Sequence, residues 1–265
     1  MGALHAGHLS LVEKACSEGQ FVVVTIFVNP TQFAPGEDFD KYPRQLQSDV
    51  DKVAEHSVDA IFAPRRNDMY PDGFATHVVV ENLTRGLCGA HRKGHFNGVT
   101  TVVAKLFNIV GPCTAVFGRK DYQQLKVIEK MVTDLNMPVR IIGNPTVREP
   151  DGLALSSRNA YLSPGDRQRA LSISRGLKRA SVLFEAGERN VGKLRGEVHG
   201  SISGSVDEID YVTAAHPDTL EALSAESLAD SRLLIAVAAR VGQTRLIDNT
   251  VLGEDDALGE ISPSK

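Results

Sequence analysis

Short apolar runs alternate with amphipathic stretches along the first half of the chain, and this alternation predicts a parallel α/β sheet. Phe21 to Val28 is a continuous apolar run of strand length, rich in β-branched residues, the pattern of a strand buried on both faces. Leu46, Val50, Val53 and Ala54 follow at helical spacing, and a short strand is expected from Val58 to Phe62. After a turn-rich stretch and a strand around His77 to Val80, apolar positions at Val99, Val102, Val103, Leu106 and Val110 predict a second helix, stopped by Gly111-Pro112. Thr114 to Phe117 then reads as strand, Tyr122 to Leu135 as helix and Val139 to Ile142 as strand.

Past the turn signature Pro150-Asp151-Gly152 the texture changes. Helices from about Asp166 to Ala186 and about Val191 to Ser201 precede clustered strands near Asp207 to Ala214, Leu233 to Val241 and Thr244 to Asp248, the order of a smaller α+β domain. Gly200 to Ser205 reads as a flexible connector. The expected domains are residues 1–149 and 150–253, with a polar tail over 254–265. No internal repeat is visible.

Composition narrows the function classes. With 265 residues, 42% hydrophobic and 23% charged, the chain has the makeup of a soluble globular protein with one large core or two modest ones. A formal charge of −4 and a pI near 6.1 give no general attraction to nucleic acid or anionic membrane, so an anion site must be local and small-molecule chemistry is favoured. Phe21 to Val28 and Leu233 to Ala239 are too short to span a membrane, and Met1 is not followed by a basic then apolar leader. Three cysteines without Cys-x-x-Cys spacing fit reduced thiols, and the expected location is the cytoplasm.

Candidate chemistry starts at His5-Ala6-Gly7-His8, where two imidazoles stand at the mouth of a helix carrying Leu9, Leu11, Val12, Ala15 and Cys16. Backbone N–H groups and the helix dipole there favour an anion, and Ser10 with Glu13 has the form of a capping box. The bland alternative is a pair of histidines near a flexible terminus with no role. Gly118-Arg-Lys-Asp-Tyr-Gln-Gln124 follows a strand and opens a helix: Lys120 suits a triphosphate, Asp121 can cap the helix or bind ribose, and Gln124 can bond a polar substrate. Leu155-Ser-Ser-Arg158 offers two hydroxyls and a guanidinium as a clamp for phosphate oxygens, or else Ser157 caps a turn with Arg158 at the surface. Asn29-Pro-Thr-Gln-Phe33 closes the first apolar strand at its C-terminal end, where Gln32 can face a hydroxy acid. Cys88, His91 and His95 have spacing that zinc could use, but a fourth ligand and a second shell are missing, so no metal site is assigned and His95 is taken to point into the active site. Arg65-Arg66 reads as a solvated basic pair.

Taken in register, these segments resemble the pantothenate synthetase family, the pantoate–β-alanine ligases, within the nucleotidyltransferases marked by His-x-Gly-His. The matching stretches are Met1-Gly-Ala-Leu-His-Ala-Gly-His8, Phe27 to Phe33, Tyr42-Pro-Arg44, Met69 to Gly73, Gly94-His-Phe-Asn-Gly-Val99, Phe117 to Gln124, Asp151 to Asn159 and Arg245-Leu-Ile-Asp-Asn249. The resemblance implies a Rossmann-like parallel-sheet domain that binds ATP and pantoate, followed by a smaller α+β C-terminal lid domain. It implies attack of the (R)-pantoate carboxylate on the α-phosphorus of ATP, giving pantoyl adenylate and pyrophosphate, then attack of β-alanine to give pantothenate and AMP, with Mg²⁺ bridging the phosphates. By resemblance, His5, His8, Lys120, Ser156, Ser157 and Arg158 are catalytic, with His8 as proton donor. ATP would be bound by Met1, Gly2, Ala3, Leu4, His5, Ala6, Gly7, His8, Gly118, Arg119, Lys120, Asp121, Val147, Leu155, Ser156, Ser157 and Arg158. Gln32, Gln124, Asn29 and His95 would bind substrate, and a homodimer is implied, with strands such as Phe74 to Val80 at its interface.

Arg119 stands where relatives often carry an acidic residue, and Leu155 replaces a frequent methionine, a volume-conserving exchange. Only Met1-Gly2-Ala3-Leu4 stands before the histidines, where such a fold carries a central strand, so the expectation is that Met1 is an internal methionine and the natural chain starts upstream. Two other readings stay open: a transferase moving a nucleotide onto a phosphate acceptor, and an inactive remnant that binds nucleotide or dimerises.

Overall fold

A computed structural model of the protein describes residues 2–255 other than 35 and 38. The chain divides into two compact units. One is built from Met1–Arg85, Gly89–Arg119 and Gln123–Asn144, the other from Gly86–Cys88, Lys120–Tyr122 and the chain from Pro145 onward.

The first unit is parallel α/β. Its elements are α1 (Ala6–Glu18), β1 (Val23–Thr25), α2 (Leu46–Ala54), β2 (Ala60–Phe62), α3 (Arg66–Met69), α4 (Leu87–His91, partly in the second unit), α5 (His95–Val110), β3 (Cys113–Gly118), α6 (mainly Gln123 onward, Tyr122–Asp134) and β4 (Val139–Asn144). β1 runs parallel to β2 from Val23↔Ala60 to Thr25↔Phe62, and β3 parallel to β4 from Cys113↔Val139 to Gly118↔Asn144. The expected single sheet is therefore two separate parallel pairs among the described residues. Leu4, Val12 of α1, Val24 of β1, Ile26 and Val53 of α2 form one buried cluster, part of the helical cover that parallel strands need.

Three expectations in this unit change. The apolar run from Phe21 to Val28 is paired only near its middle: Phe21 is 69% exposed, while Val22 and Ile26 extend the bonding by one residue each way through Asp59, Ala60 and Phe62. His77 to Val80 forms no strand ladder among the described residues. The threonines of α5 take over, Thr101 Oγ1 accepting from Val78 N at 3.0 Å and Thr100 Oγ1 donating to Val78 O at 2.6 Å. On α2 the buried face is Asp49 with Val53, one turn apart, whereas Leu46 is exposed.

The second unit carries β5 (Glu208–Ala215), β6 (Leu233–Val241) and β7 (Thr244–Leu252) as an antiparallel sheet in that order, backed by α7 (Pro164–Glu185) and α8 (Val191–Ile202). α7 starts cleanly: the Ser163 hydroxyl accepts from Asp166 N at 3.1 Å, and Pro164 takes the first position, where its missing N–H is harmless. The core interdigitates α7 and α8 residues such as Leu171, Leu177 and Val198 with Leu233, Ile235, Val237 and Leu246 of the sheet. Gly200 to Ser205 is not a flexible connector. Helix α8 continues through Ile202, which is fully buried, and Ser201 donates its hydroxyl to Ser172 O at 2.9 Å. Burying one such isoleucine stabilises by about 1.5–3 kcal/mol, which outweighs the poor helix propensity of Gly200 and Ser201. No helix among the described residues is long and apolar enough to cross a membrane.

Candidate active site

His5 is the N-cap of α1, with extended backbone (φ −137°, ψ 173°), and His8 stands in the first turn. Their rings lie 4.1 Å apart between centroids, tilted by 32°. His5 O accepts from His8 N at 2.7 Å and Leu9 N at 3.1 Å, which tightens the first turn and leaves the Ala6 and Gly7 amides without intrahelical acceptors. His5 N donates to His8 Nδ1 at 3.4 Å, so a neutral His8 carries its proton on Nε2. The helix thus begins two residues before His8 without the Ser10–Glu13 box: the Ser10 hydroxyl donates to Gly7 O at 3.0 Å and accepts from Asn144 Nδ2 at 3.2 Å, tying α1 to the C-terminal end of β4. Before the pair, Ala3 adopts a left-handed backbone (φ 51°), sparsely populated for a residue with a side chain. Buried Asp49 of α2 holds this turn, accepting from Ala3 N at 2.9 Å and Leu4 N at 2.7 Å, while Lys52 Nζ donates to Leu4 O at 2.7 Å. Met1 lies outside the described residues; Gly2 is buried.

A second cluster forms where β1 ends. Asn29 is buried and its amide is fully used: Oδ1 accepts from Tyr70 Oη at 2.8 Å and Thr31 Oγ1 at 2.9 Å, and Nδ2 donates to Gly98 O at 3.1 Å and Gln32 Oε1 at 3.2 Å. With Gln32 Oε1 accepting from Asn29, the donor of that side chain is its Nε2 amide. His95 Nδ1 donates to Gln32 O at 2.8 Å, and its Nε2 meets Arg92 Nη1 at 3.1 Å, which fixes His95 as a neutral ring and a strut. Arg92 in turn forks onto Glu37 at 2.7 and 2.8 Å. Burial pushes the Glu37 carboxyl up, but the Arg92 guanidinium more than offsets this and holds it below the usual carboxylate range. Asn29 and His95 thus stand behind Gln32. Gln124 lies in the first turn of α6, half-buried, beside Gln123, which donates to Leu83 O at 2.8 Å. Gly118 closes β3, and the Arg119 stem lies against Gly143.

The second unit gathers the other predicted residues around β7. Lys120 and exposed Asp121 belong to the turn Arg119–Asp121, and Asn249 Nδ2 donates to Lys120 O at 2.7 Å. Val147 and Leu155 face each other across a hairpin, Leu155 N donating to Val147 O at 3.0 Å. Ser156 caps the turn Ser157–Tyr161, its hydroxyl accepting from Arg158 N at 3.3 Å, so the cap expected of Ser157 falls one residue earlier. Asn159 pins that turn by donating to Glu149 Oε1 at 2.7 Å and Ala154 O at 3.0 Å. Behind the hairpin, Arg148 (2% exposed) makes a two-pronged pair with Asp248 (5% exposed) at 2.7 and 3.0 Å. The opposing charge of Asp248 raises the Arg148 guanidinium against the lowering effect of burial.

Cys88 has its Sγ 3.2 Å from Tyr211 Oη and within reach of Arg245, whose Nε pairs with Asp210 at 2.6 Å. Burial and then Cys88 push the Tyr211 hydroxyl far above its usual range. Among the described residues no group of three His, Cys, Asp or Glu is placed to hold a metal ion. Asp49, Arg92 with Glu37, Arg148 with Asp248, and Asn249 are the site-building residues that sequence reasoning missed. Asp49 left a signal as an acidic residue on the same helix face as Val53, and Asp248 with Asn249 lay in the matching stretch Arg245-Leu-Ile-Asp-Asn249 without a role assigned to either.

A family model described as pantoate-beta-alanine ligase matches residues 1–251. A pantothenate synthetase of Geobacter sulfurreducens is 54% identical over 258 residues, covering 96% of this chain and 89% of that protein. One of Moorella thermoacetica is 55% identical over 257 residues, covering 97% and 90%. A pantoate-beta-alanine ligase structure from Thermus thermophilus superposes with a TM-score of 0.89 at 48% identity, covering 94% and 90% of the two chains. A structure from Francisella tularensis, complexed with beta-gamma ATP and beta-alanine, superposes with a TM-score of 0.77 at 37% identity, covering 97% and 88%.

Proposed function

The chain belongs to the pantoate-beta-alanine ligase family and performs ATP-dependent ligation of pantoate to β-alanine, and on that premise we propose how its residues divide the work. A carboxylate is a poor acyl donor, so the pantoate oxygen first attacks the α-phosphorus of ATP; a phosphorus–oxygen bond forms and pyrophosphate leaves. The β-alanine amine then attacks the acyl carbon, forming the carbon–nitrogen bond, releasing AMP and losing a proton.

The observation that carries this reading is the closely spaced histidine pair at the mouth of α1. His8 donates Nε2–H to the α-phosphate, with His5 and the open amides of the first turn beside it, so charge developing at phosphorus meets fixed donors. Gln32 and Gln124 bind pantoate, with Asn29 and His95 holding Gln32 in place. Lys120, Ser156, Ser157 and Arg158 take the triphosphate, and Gly2 to Leu4, Gly118, Arg119, Asp121, Val147 and Leu155 the rest of ATP. Mg²⁺ would enter with the ATP phosphates, as part of the substrate.

Pantoate labelled with ¹⁸O in its carboxylate tests the route: one label should appear in AMP, and unlabelled AMP would overturn it. His8→Ala should slow pyrophosphate release by about 10²–10³-fold, the usual effect of removing one such donor. A cytoplasmic homodimer is part of the proposal, supported by three cysteines in no disulfide and by the segment over 75–80, where Val79 is exposed. Light scattering should then read twice the 28.6 kDa chain mass.

A further inference from the structure

β7 is an edge strand of the antiparallel sheet, and its consecutive residues Asp248 and Asn249 point to opposite faces, as strand geometry requires. Asp248 reaches Arg148 at the root of the hairpin that ends in Leu155 and Ser156. Asn249 reaches the carbonyl of Lys120 at 2.7 Å, and Asp248 Oδ1 also accepts from Asn249 N at 2.8 Å. The lysine turn and the serine turn are thus referred to neighbouring residues of one strand. Asn249 is itself buried, so its amide bonds to Lys120 without competition from water.

The geometry points to Asn249 as the positioning residue of Lys120, acting on ATP only through that side chain's placement; this rests on the reading of Lys120 as a triphosphate ligand. Asn249 uses its amide to hold the backbone, which leaves the Lys120 ammonium for the nucleotide. Asp248, by fixing the hairpin, makes the distance between the ammonium and the serine turn a property of β7. A purely structural asparagine would lower stability without distinguishing between substrates.

The test is a double-mutant cycle between Asn249 and Lys120, read in KM for ATP, KM for β-alanine and kcat. Lys120→Ala is expected to raise KM for ATP about tenfold or more, as loss of a charge-assisted contact would. Asn249→Ala and Asn249→Asp, neither able to donate to the Lys120 carbonyl, should each raise it roughly three- to tenfold and leave KM for β-alanine unchanged. On the Lys120→Ala background the same changes should add less than about twofold. An equal factor on both backgrounds, or loss of the folded state in both Asn249 variants, would mark a structural residue and overturn the inference. If Lys120→Ala acts while the Asn249 variants do not, the positioning role alone falls; if Lys120→Ala leaves KM for ATP unchanged, the assignment of Lys120 falls with it.

Discussion

Glu37 shows how a single charge organises the surroundings of Gln32. Its carboxylate holds Arg92, Arg92 meets His95, and His95 donates to the Gln32 carbonyl, so the orientation of Gln32 depends on a group three contacts away. Because the folded carboxyl titrates below the unfolded one, the clasp contributes fully above the ordinary carboxylate range and is lost as pH falls through the depressed value. Wild type should therefore melt higher than Glu37→Gln near neutrality, with the gap closing below about pH 4. A gap that stays constant with pH would contradict this. The pairs that build the site were hidden from the sequence for a physical reason: Asp49 meets Ala3 from 46 positions away, Arg92 meets Glu37 from 55, and Asn249 meets Lys120 from 129. By contrast, His5 with His8 and Ser156 with Arg158 act within a turn, so their spacing alone exposes them.

Among elements, α5 and the turn Pro30–Gln32 meet with no room to spare. A Cβ on Gly98 would lie 2.3 Å from Thr31 O and 2.6 Å from Gln32 N, so only glycine lets the helix approach the turn. Gly98→Ala must push that turn away. It should raise KM for pantoate and lower kcat about tenfold or more while changing KM for ATP less; equal effects on both substrates would argue against this role. Apolar periodicity located α5, α6 and α7 well because each buries a long face. It misread Phe21 to Val28 and His77 to Val80 because an apolar or β-branched run records burial, while a strand also needs a partner edge, and at Val78 that partner is a pair of threonine hydroxyls.

Over the whole molecule, the alternation of strands and helices announced the class of each half, and the ion pair linking Arg148 to Asp248 across 100 positions did not show. That pair is almost dry, so removing one partner strands a buried charge. Arg148→Met should cost about 3–5 kcal/mol in urea unfolding, and pairing it with Asp248→Leu should restore much of the loss; a single variant as stable as wild type would refute this. β7 has a consequence for biosynthesis as well. Residues 120 and 148 to 158 leave the ribosome long before Thr244–Leu252, at roughly 5–20 residues per second. On the proposed assignment, a nascent chain therefore carries Lys120 and Ser156 to Arg158 for several seconds without the strand that holds their two turns. If those turns hold the nucleotide as proposed, competence to grip it arrives late, with the final strand of the sheet.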